Sequence, residues 1–275
     1  MSLRLIALDL DGTIFTDDLI ISPRMRAAIR EAQDRGVIVT LATGRMFRSA
    51  RTIAEDLNIA QPLICYQGAL VCHSATAEVL YHKTVPLDLA RAIIHEAERR
   101  GLHLNLYLND EVYVSRITPK ALFYSKINMG VRLNEVESLE DWLDGQGGKE
   151  PTKLVIVTDE AETDGTLALF TELYGGRLQV TKSHPRFTEF TNVECSKGRA
   201  LAFLAGYCGV EREDVMAIGD GHNDLDMIAW AGHGVAMPTS PQLVLDAART
   251  VAITLAEDGA ARVIEQHVLG RGRET

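Results

Sequence analysis

Mainly apolar segments alternate with amphipathic ones at both ends of the chain. Residues 3–8, 37–42 and 215–218 have the length and composition of strands that are buried on both faces. The helices predicted from apolar residues at helical spacing cover residues 23–35, 48–57, 198–208 and a segment that starts near residue 223. Further short strands are predicted at residues 62–66 and 234–237. This alternation predicts a parallel sheet with right-handed crossovers.

The middle of the chain follows a different pattern. A helix is predicted over residues 87–100, and the strand-like segments 103–108 and 112–115 are separated by three polar residues, which indicates an antiparallel hairpin. The other predicted elements are helices over residues 119–128 and 160–174 and strands over residues 153–158, 178–181 and 187–190. We therefore predict an α/β fold whose core comprises residues 1–82 and 190–275. An α+β domain, residues 83–189, is inserted into it.

Composition and charge narrow the class of protein. The 275 residues are 46% hydrophobic and 24% charged, which is ordinary for a soluble globular chain. A net charge of −10 argues against a nucleic-acid partner, and no apolar run reaches the length of a membrane span. Asp9 interrupts the N-terminus too early for a signal peptide, and the four cysteines lack C-x-x-C spacing. We expect a cytoplasmic protein with reduced thiols and no membrane partner.

Polar clusters stand at four places where a predicted strand ends or a predicted helix begins. They are Asp9-Leu10-Asp11-Gly12-Thr13, Thr43-Gly44-Arg45, Ser196-Lys197-Gly198 and Gly219-Asp220-Gly221-His222-Asn223-Asp224. The carboxyl ends of parallel strands share one edge of a sheet, and ligands bind outside that edge. We therefore expect the four clusters to converge.

The carboxylates of these clusters suit phosphoryl transfer. A carboxylate can attack phosphorus and form an aspartyl-phosphate. Asp11 is placed to protonate the leaving oxygen and later to activate water. Mg²⁺ prefers carboxylate, water and substrate oxygens, and Asp9, Asp220 and Asp224 are the candidate carboxylates for it.

The remaining polar groups suit an anionic substrate. Lys197 is a point charge that can bridge a nucleophile and phosphoryl oxygens. The Thr43 hydroxyl and the backbone amides around Gly12 and Gly44 can donate hydrogen bonds to those oxygens.

Together, the four clusters resemble in order the four motifs of the haloacid dehalogenase superfamily of phosphatases. The resemblance extends over essentially the whole chain and is strongest for the Cof-type branch, whose α+β cap (type C2B) is inserted between the second and third motifs. Glu257-Asp258-Gly259 also resembles that branch. The resemblance implies a Rossmann-like parallel-sheet core, with the inserted domain as the cap.

The resemblance also implies catalytic roles. Asp9 is expected to be the nucleophile and Asp11 the general acid and base, while Thr43 and Lys197 hold the phosphoryl group. Gly44 belongs to the same phosphate-binding cluster, and Arg45 is expected to face the substrate.

The implied cofactor is Mg²⁺. Asp9, the backbone carbonyl of Asp11 and Asp220 are expected to bind the ion, and Asp224 to support its ligand shell. Asn223 is expected to orient nearby groups on the substrate side.

The leading functional hypothesis is a Mg²⁺-dependent phosphatase that acts on a small phosphorylated metabolite, such as a sugar phosphate or a phosphorylated cofactor. The alternatives are a phosphomutase with the same motifs, a signalling or binding module with a phospho-aspartate, and, less favoured, a dehalogenase. The chain departs from the resemblance at Gln67-Gly68-Ala69, where relatives usually carry Asn-Gly-Ala, and at Pro238-Thr239, where relatives often have Gly-Asn. The sequence leaves the substrate and the oligomeric state open.

Overall fold

The computed structural model describes residues 3–16, 19–128, 130–268 and 270. The chain forms two compact units, Met1–Tyr81 with Ser196–Thr275, and His82–Cys195. Within the described residues, no helix is both long enough and apolar enough to cross a membrane.

The strands of both units are numbered in chain order. They are β1 (Leu5–Leu8), β2 (Ile38–Leu41), β3 (Pro62–Cys65), β4 (Leu70–His73), β5 (Val79–His82), β6 (His103–Leu108), β7 (Glu111–Val114), β8 (Leu133–Glu135), β9 (Lys153–Val157), β10 (Leu178–His184), β11 (Phe187–Asn192), β12 (Val215–Gly219), β13 (His233–Ala236) and β14 (Thr250–Val251).

The helices are numbered in the same way. They are α1 (Pro23–Asp34), α2 (Phe47–Asp56), α3 (Leu87–Arg99), α4 (Pro119–Ile127), α5 (Leu139–Asp144), α6 (Glu160–Tyr174), α7 (Lys197–Tyr207), α8 (Leu225–Trp230), α9 (Gln242–Ala247) and α10 (Gly259–Val268). Short 3-10 turns cover Tyr66–Gly68, Arg212–Asp214, His222–Asp224 and Leu255–Glu257.

The first unit is built on a parallel sheet with the strand order β14-β13-β12-β1-β2. Strand β1 lies between β12 and β2, and all four of its residues are buried, so the sheet is covered on both faces at this strand. Helices α7 and α8 pack against β1 and β12 in one apolar cluster. The predicted α/β fold with a parallel-sheet core is confirmed.

Strand β3 differs from its predicted place in that sheet. It meets the parallel sheet at the bridge between Ala42 and Ile64 and through the Thr40 hydroxyl, which donates to the Pro62 carbonyl oxygen. Its ladder partner is the unpredicted β4, with which it runs antiparallel. The chain reverses direction between β3 and β4 through the left-handed turn Tyr66–Gly68. A separate three-stranded sheet, β3-β4-β5, results.

The second unit contains the sheet β10-β11-β9-β6-β7-β8. The predicted hairpin is present as β6 and β7, and the described ladders are antiparallel except for β7 with β8. One apolar cluster joins the sheet to α3, α5 and α6. Strand β8 and helix α5 are too short to show a clear period and were not predicted.

The two ends of the second unit lie side by side. The Asn192 side-chain amide donates to the Thr84 carbonyl oxygen over 2.8 Å. Strand pairing continues within this unit to Asn192, two residues past the boundary expected at residue 190. This arrangement is typical of a domain inserted into a loop of another, since neighbouring ends interrupt the host least.

Helix starts follow local capping chemistry. The Ser22 hydroxyl accepts from the Met25 amide over 3.0 Å at the start of α1, as predicted. Ser196 caps α7 in the same way through the Arg199 amide, so α7 begins at Lys197. The helix predicted to start near residue 223 is preceded by the 3-10 turn His222–Asp224, and α8 itself begins at Leu225.

Candidate active site

Three neighbouring strands deliver the first, second and fourth clusters to one edge of the parallel sheet. In the register, Leu8 of β1 lies beside Leu41 of β2 and Ile218 of β12. The Asp9 amide then donates to the Ile218 carbonyl over 3.0 Å, so Asp9 leaves the sheet next to the end of β12. The side chains that follow these strands therefore converge.

Lys197 joins this edge from the first turn of α7. Its side chain has no solvent exposure, and its ammonium lies 2.6 Å from Asp9 Oδ1 and 2.6 Å from Asp224 Oδ1. Burial by itself lowers the lysine pKa, but the Asp9 and Asp224 carboxylates outweigh burial and raise it. Lys197 is therefore a permanent positive charge between two carboxyl groups.

Asp224 is the most enclosed carboxylate of the set. Its Oδ1 accepts from Lys197, and its Oδ2 accepts from the backbone amides of Asp220 and Gly221 over 3.0 and 2.9 Å. Both of its oxygens are therefore engaged by protein donors. This geometry suits a residue that holds Lys197 and the loop after β12 in place.

The surroundings of Asp9 disfavour the negative charge of its carboxylate. Burial is the largest cause that raises its pKa, to about 8; Lys197 acts in the opposite direction, and Asp224 adds to the increase. The pKa of Asp220 is raised by burial and then by Asp224. The Lys197 ammonium thus lies near three acidic groups, so negative charge exceeds positive charge at this site and a further cation would be stabilised there.

This donor set fits a hard divalent cation. Ligand oxygens of Asp9, Asp220 and Asp224 all lie within 4.8 Å of one another. Carboxylate oxygens are the ligands Mg²⁺ prefers, and the negative excess favours binding of a cation. Because both Asp224 oxygens are engaged, Asp9 and Asp220 are the side chains best placed to bind the ion directly.

Asp11 and Arg45 pair at the rim of this edge. Arg45 Nε donates to Asp11 Oδ2 over 3.0 Å and Arg45 Nη2 to Asp11 Oδ1 over 2.5 Å, and the guanidinium carbon lies 5.4 Å from the centre of the Phe15 ring. The Asp11 side chain is 56% exposed, in contrast to Asp9 at 8%. The two acids of the first cluster thus occupy different environments, one buried and one open to solvent.

Thr43 and Asn223 lie on the loops around the acidic centre. The buried Thr43 hydroxyl accepts from the Arg45 amide over 3.2 Å, which leaves its own proton available for another acceptor. Asn223 is exposed, and its side-chain amide donates to Gln67 Oε1 over 2.9 Å. Neither residue has a hydrogen bond to Asp9, Asp220 or Asp224 among the contacts recorded for the described residues.

Three supporting residues had no role assigned from the sequence. The Thr13 hydroxyl donates to Asp220 Oδ1 over 3.2 Å. Asp226 Oδ2 accepts from the Gly198 amide over 3.1 Å and so ties α8 to the start of α7. Gln67 contacts the second and fourth clusters. Thr13 lies inside the first cluster and was recognisable there, whereas Asp226 carried no signal beyond its place in a helix.

Comparison with known proteins gives this geometry a family. The sequence model of the haloacid dehalogenase-like hydrolase family matches residues 6–264, and this range includes all four clusters. A crystal structure of a haloacid dehalogenase-like hydrolase from Bacteroides thetaiotaomicron is 28% identical, with a TM-score of 0.86 over 96% of this chain and 99% of that one.

Curated relatives match over nearly the same span. The chain is 31% identical to the 5-amino-6-(5-phospho-D-ribitylamino)uracil phosphatase YcsE of Bacillus subtilis (strain 168), over 98% of this chain and 97% of the relative. It is 26% identical to the HMP-PP phosphatase of Enterobacter sp. (strain 638), over 88% of this chain and 87% of the relative. The resemblance indicated by the motifs is thereby confirmed: the chain belongs to the haloacid dehalogenase-like hydrolase family and is an enzyme of the phosphatase type.

Proposed function

We propose that this protein is a Mg²⁺-dependent phosphatase that hydrolyses a small phosphorylated metabolite through an aspartyl-phosphate on Asp9. The observation that carries the proposal is the position of Asp9, buried at the end of β1 between the Lys197 ammonium and the acidic loop after β12. In this proposal one Asp9 oxygen stays on the Lys197 ammonium and the other attacks phosphorus.

The metal would be held by Asp9 and Asp220, with the Asp11 backbone carbonyl as the third ligand expected from the family resemblance. A bound Mg²⁺ would supply positive charge that keeps Asp9 ionised and offsets the charge of the phosphate. Asp224 would act indirectly, because its oxygens hold Lys197 and two backbone amides.

The chain's own residues then divide the chemistry. Asp9 attacks phosphorus while the bond to the leaving oxygen breaks, and Asp11 gives that oxygen its proton. Water next attacks the aspartyl-phosphate, Asp11 takes a proton from it, and release of phosphate restores Asp9. The Thr43 hydroxyl and the Lys197 ammonium stabilise the charge on the phosphoryl oxygens.

The Asp11–Arg45 contact adds a condition to this scheme. Arg45 pairs with the ionised form of Asp11 through two hydrogen bonds. Asp11 would have to turn from this pair toward the leaving group in order to act on it. Arg45 would then contribute to the substrate side of the site.

The names of two relatives support the substrate class that we propose. Relatives that cover nearly the whole chain are named as phosphatases of a phosphorylated ribitylamino-uracil and of HMP-PP. Both names are those of phosphatases of small phosphorylated compounds. We therefore propose a sugar phosphate or a phosphorylated cofactor as the substrate here.

The deciding experiment replaces Asp9 by Asn. Asp9→Asn is expected to abolish phosphate release from p-nitrophenyl phosphate in Mg²⁺, because an amide cannot serve as the nucleophile. Asp56→Asn is the matched control: Asp56 is an exposed acid paired with Arg26, and full activity is expected there. An Asp9→Asn variant that folds and still turns over would contradict the nucleophile assignment.

Isotope labelling separates a phosphatase from a phosphomutase. In water enriched in ¹⁸O, each turnover of a phosphatase is expected to place one label in free phosphate. Transfer of the phosphoryl group within the substrate, with no label in free phosphate, would indicate a mutase instead.

A further inference from the structure

The turn Tyr66–Gly68 after β3 is a strained segment next to the proposed phosphate-binding loops. Tyr66, Gln67 and Gly68 have φ angles of 52°, 59° and 89°. Left-handed backbone is unfavourable for residues that carry a Cβ, and it persists only where surrounding contacts maintain it. The contacts of this turn therefore indicate what the strain achieves.

Backbone hydrogen bonds connect the turn to the Thr43-Gly44-Arg45 loop. The Tyr66 amide donates to the Arg45 carbonyl over 3.0 Å, and the Gln67 amide donates to the Thr43 carbonyl over 3.1 Å. In an extended strand the amides of two successive residues point to opposite sides of the strand. The left-handed turn lets both reach the same loop.

The Gln67 side chain connects that loop with the acidic loop after β12. Its Oε1 accepts from the Asn223 side-chain amide over 2.9 Å. Its Nε2 lies directly against Gly44: a Cβ at position 44 would come within 2.4 Å of it. The absence of a side chain at Gly44 is thus what makes room for the Gln67 amide.

Gly68 brings the turn against the start of α7. A Cβ on Gly68 would lie 2.2 Å from the Ser196 carbonyl oxygen and 2.8 Å from the Lys197 amide nitrogen. These are backbone atoms at the cap of a helix and cannot move aside cheaply. The turn therefore contacts the loops of three of the four clusters.

We propose that Gln67 is a positioning residue for phosphoryl transfer: its amide sets the spacing between the Thr43-Gly44-Arg45 loop and Asn223. The inference rests on the proposed phosphatase function, since those two loops border the site where Asp9 would react. Within the described residues Gln67 forms no hydrogen bond with Asp9 or Lys197, so its effect is transmitted through Gly44 and Asn223.

The first test replaces Gln67 by Gly. Glycine tolerates φ near 59°, so the melting temperature is expected to stay at or above that of the parent protein. Loss of the amide is expected to lower kcat for p-nitrophenyl phosphate about ten-fold with little change in KM, because the phosphoryl-binding groups are displaced from their reactive spacing. A residue that only supports the fold would lose activity and stability together.

The second test uses Gly44→Ala in two backgrounds. With Gln67 present, the new methyl group pushes the amide aside, and a loss comparable to that of Gln67→Gly is expected. In the Gln67→Gly background the methyl group meets no side chain there, so Gly44→Ala is expected to cost several-fold less than it does with Gln67 present. An equal cost in both backgrounds would contradict the proposed contact.

Asn58→Gly is the control for backbone strain. Asn58 also has a positive φ, 55°, and lies in the same unit at the end of α2. This variant makes the same change to glycine at a left-handed position away from Gln67, and no change in kcat is expected. A fall in kcat equal to that of Gln67→Gly would assign the effect to the backbone and overturn the proposal.

Hydrogen exchange gives a readout that does not require turnover. In Gln67→Gly, amide exchange is expected to become several-fold faster in residues 43–45 and 219–224, and to stay unchanged in Asn58→Gly. Unchanged protection in both segments would overturn the positioning role even if the parent enzyme proved inactive. An inactive parent protein would instead contradict the proposed function, so the two failures are distinguishable.

Discussion

Lys197 is the residue on which the charge balance of the candidate site depends. It is the buried cation that Asp9 and Asp224 share, and each of these contacts is 2.6 Å long. It also occupies the first turn of α7, where the helix dipole disfavours a positive charge. The two carboxylates offset both this effect and the cost of burial.

Lys197→Met is expected to separate these contributions. Methionine keeps much of the side-chain volume but leaves the buried Asp9 and Asp224 without their ammonium partner, so the free energy of unfolding in EDTA should fall by about 3–5 kcal/mol. Urea denaturation measures the change, and phosphatase activity should be lost as well. Lys182→Met is the control, because Lys182 pairs with the exposed Asp164 and its loss should change stability by less than about 1 kcal/mol.

At the scale of elements, β9 and β11 carry a second buried ion pair in the second unit. Lys153 Nζ lies 3.3 Å from both carboxylate oxygens of Glu189, and the Ser183 hydroxyl donates to Glu189 Oε1 over 2.6 Å. Burial lowers the pKa of Lys153, but Glu189 and Tyr124 together outweigh burial, so the net shift of this pKa is upward. Lys153 also lies 4.9 Å from the centre of the Tyr107 ring. The pair is therefore satisfied inside the unit.

A double-mutant cycle tests this pair. Lys153→Met alone is expected to cost about 3–5 kcal/mol in the free energy of unfolding, because Glu189 is then a buried charge without a partner. Adding Glu189→Leu should recover most of that loss, since an apolar pair of similar volume is often as stable as a buried ion pair. Additive losses in urea denaturation would show that the two side chains act independently.

Strand β6 makes the second unit sensitive to acid through His103. Burial lowers the pKa of His103 below its ordinary 6.5, and the ring bonds Asn105 Oδ1 over 2.9 Å and the Thr118 hydroxyl over 3.2 Å. The folded state thus binds the proton more weakly than the unfolded state. The contribution of His103 is fully present above pH 6.5 and is lost as the pH falls through the lowered folded pKa.

His103→Gln is expected to flatten this pH dependence. Stability measured from pH 7 to pH 5 should fall less steeply in the variant, by up to about 1.4 kcal/mol per pH unit for one group. An NMR titration of the His103 ring in the parent protein checks the cause directly. A ring that titrates at or above 6.5 would contradict the explanation.

At the scale of the whole molecule, the second unit has the features of an independent folding unit. Its apolar cluster is drawn from residues 85–190, and its two ends are tied by the Asn192–Thr84 hydrogen bond. A complete core with adjacent ends is what an inserted domain needs to fold without its host.

The fragment 82–195 is therefore expected to fold when expressed alone. Circular dichroism should show a cooperative thermal transition, because the six-stranded sheet and its covering helices are all present. Leu106→Ala, a fully buried position in the cluster, should destabilise the fragment by about 2–5 kcal/mol and serves as the control for a native core. A gradual transition that Leu106→Ala leaves unchanged would contradict independent folding.

Helices and strands with a regular hydrophobic pattern were predictable from the sequence, whereas one strand pairing was not. Elements with a strong period or a clear cap were predicted to within a residue or two: α1 begins at Pro23 behind Ser22, and the hairpin β6–β7 is where its polar break indicated. The antiparallel partner of β3 was missed. Its pairing with β4 depends on a left-handed turn at Tyr66 and Gln67. Tyr and Gln rarely adopt that conformation, so the sequence does not predict the turn.

Local sequence alone was enough to establish that acidic, basic and hydroxyl groups follow the ends of parallel strands, because strand period and connection rules bring those ends to one edge. Tertiary structure decided how the groups share charge. Asp9 and Lys197 are 188 positions apart in sequence. Only folding shows that Lys197 lies between Asp9 and Asp224, that Asp11 pairs with Arg45, and that Gln67 connects two loops. These pKa shifts and contacts depend on burial and on the distances between atoms, and both quantities exist only in the folded chain.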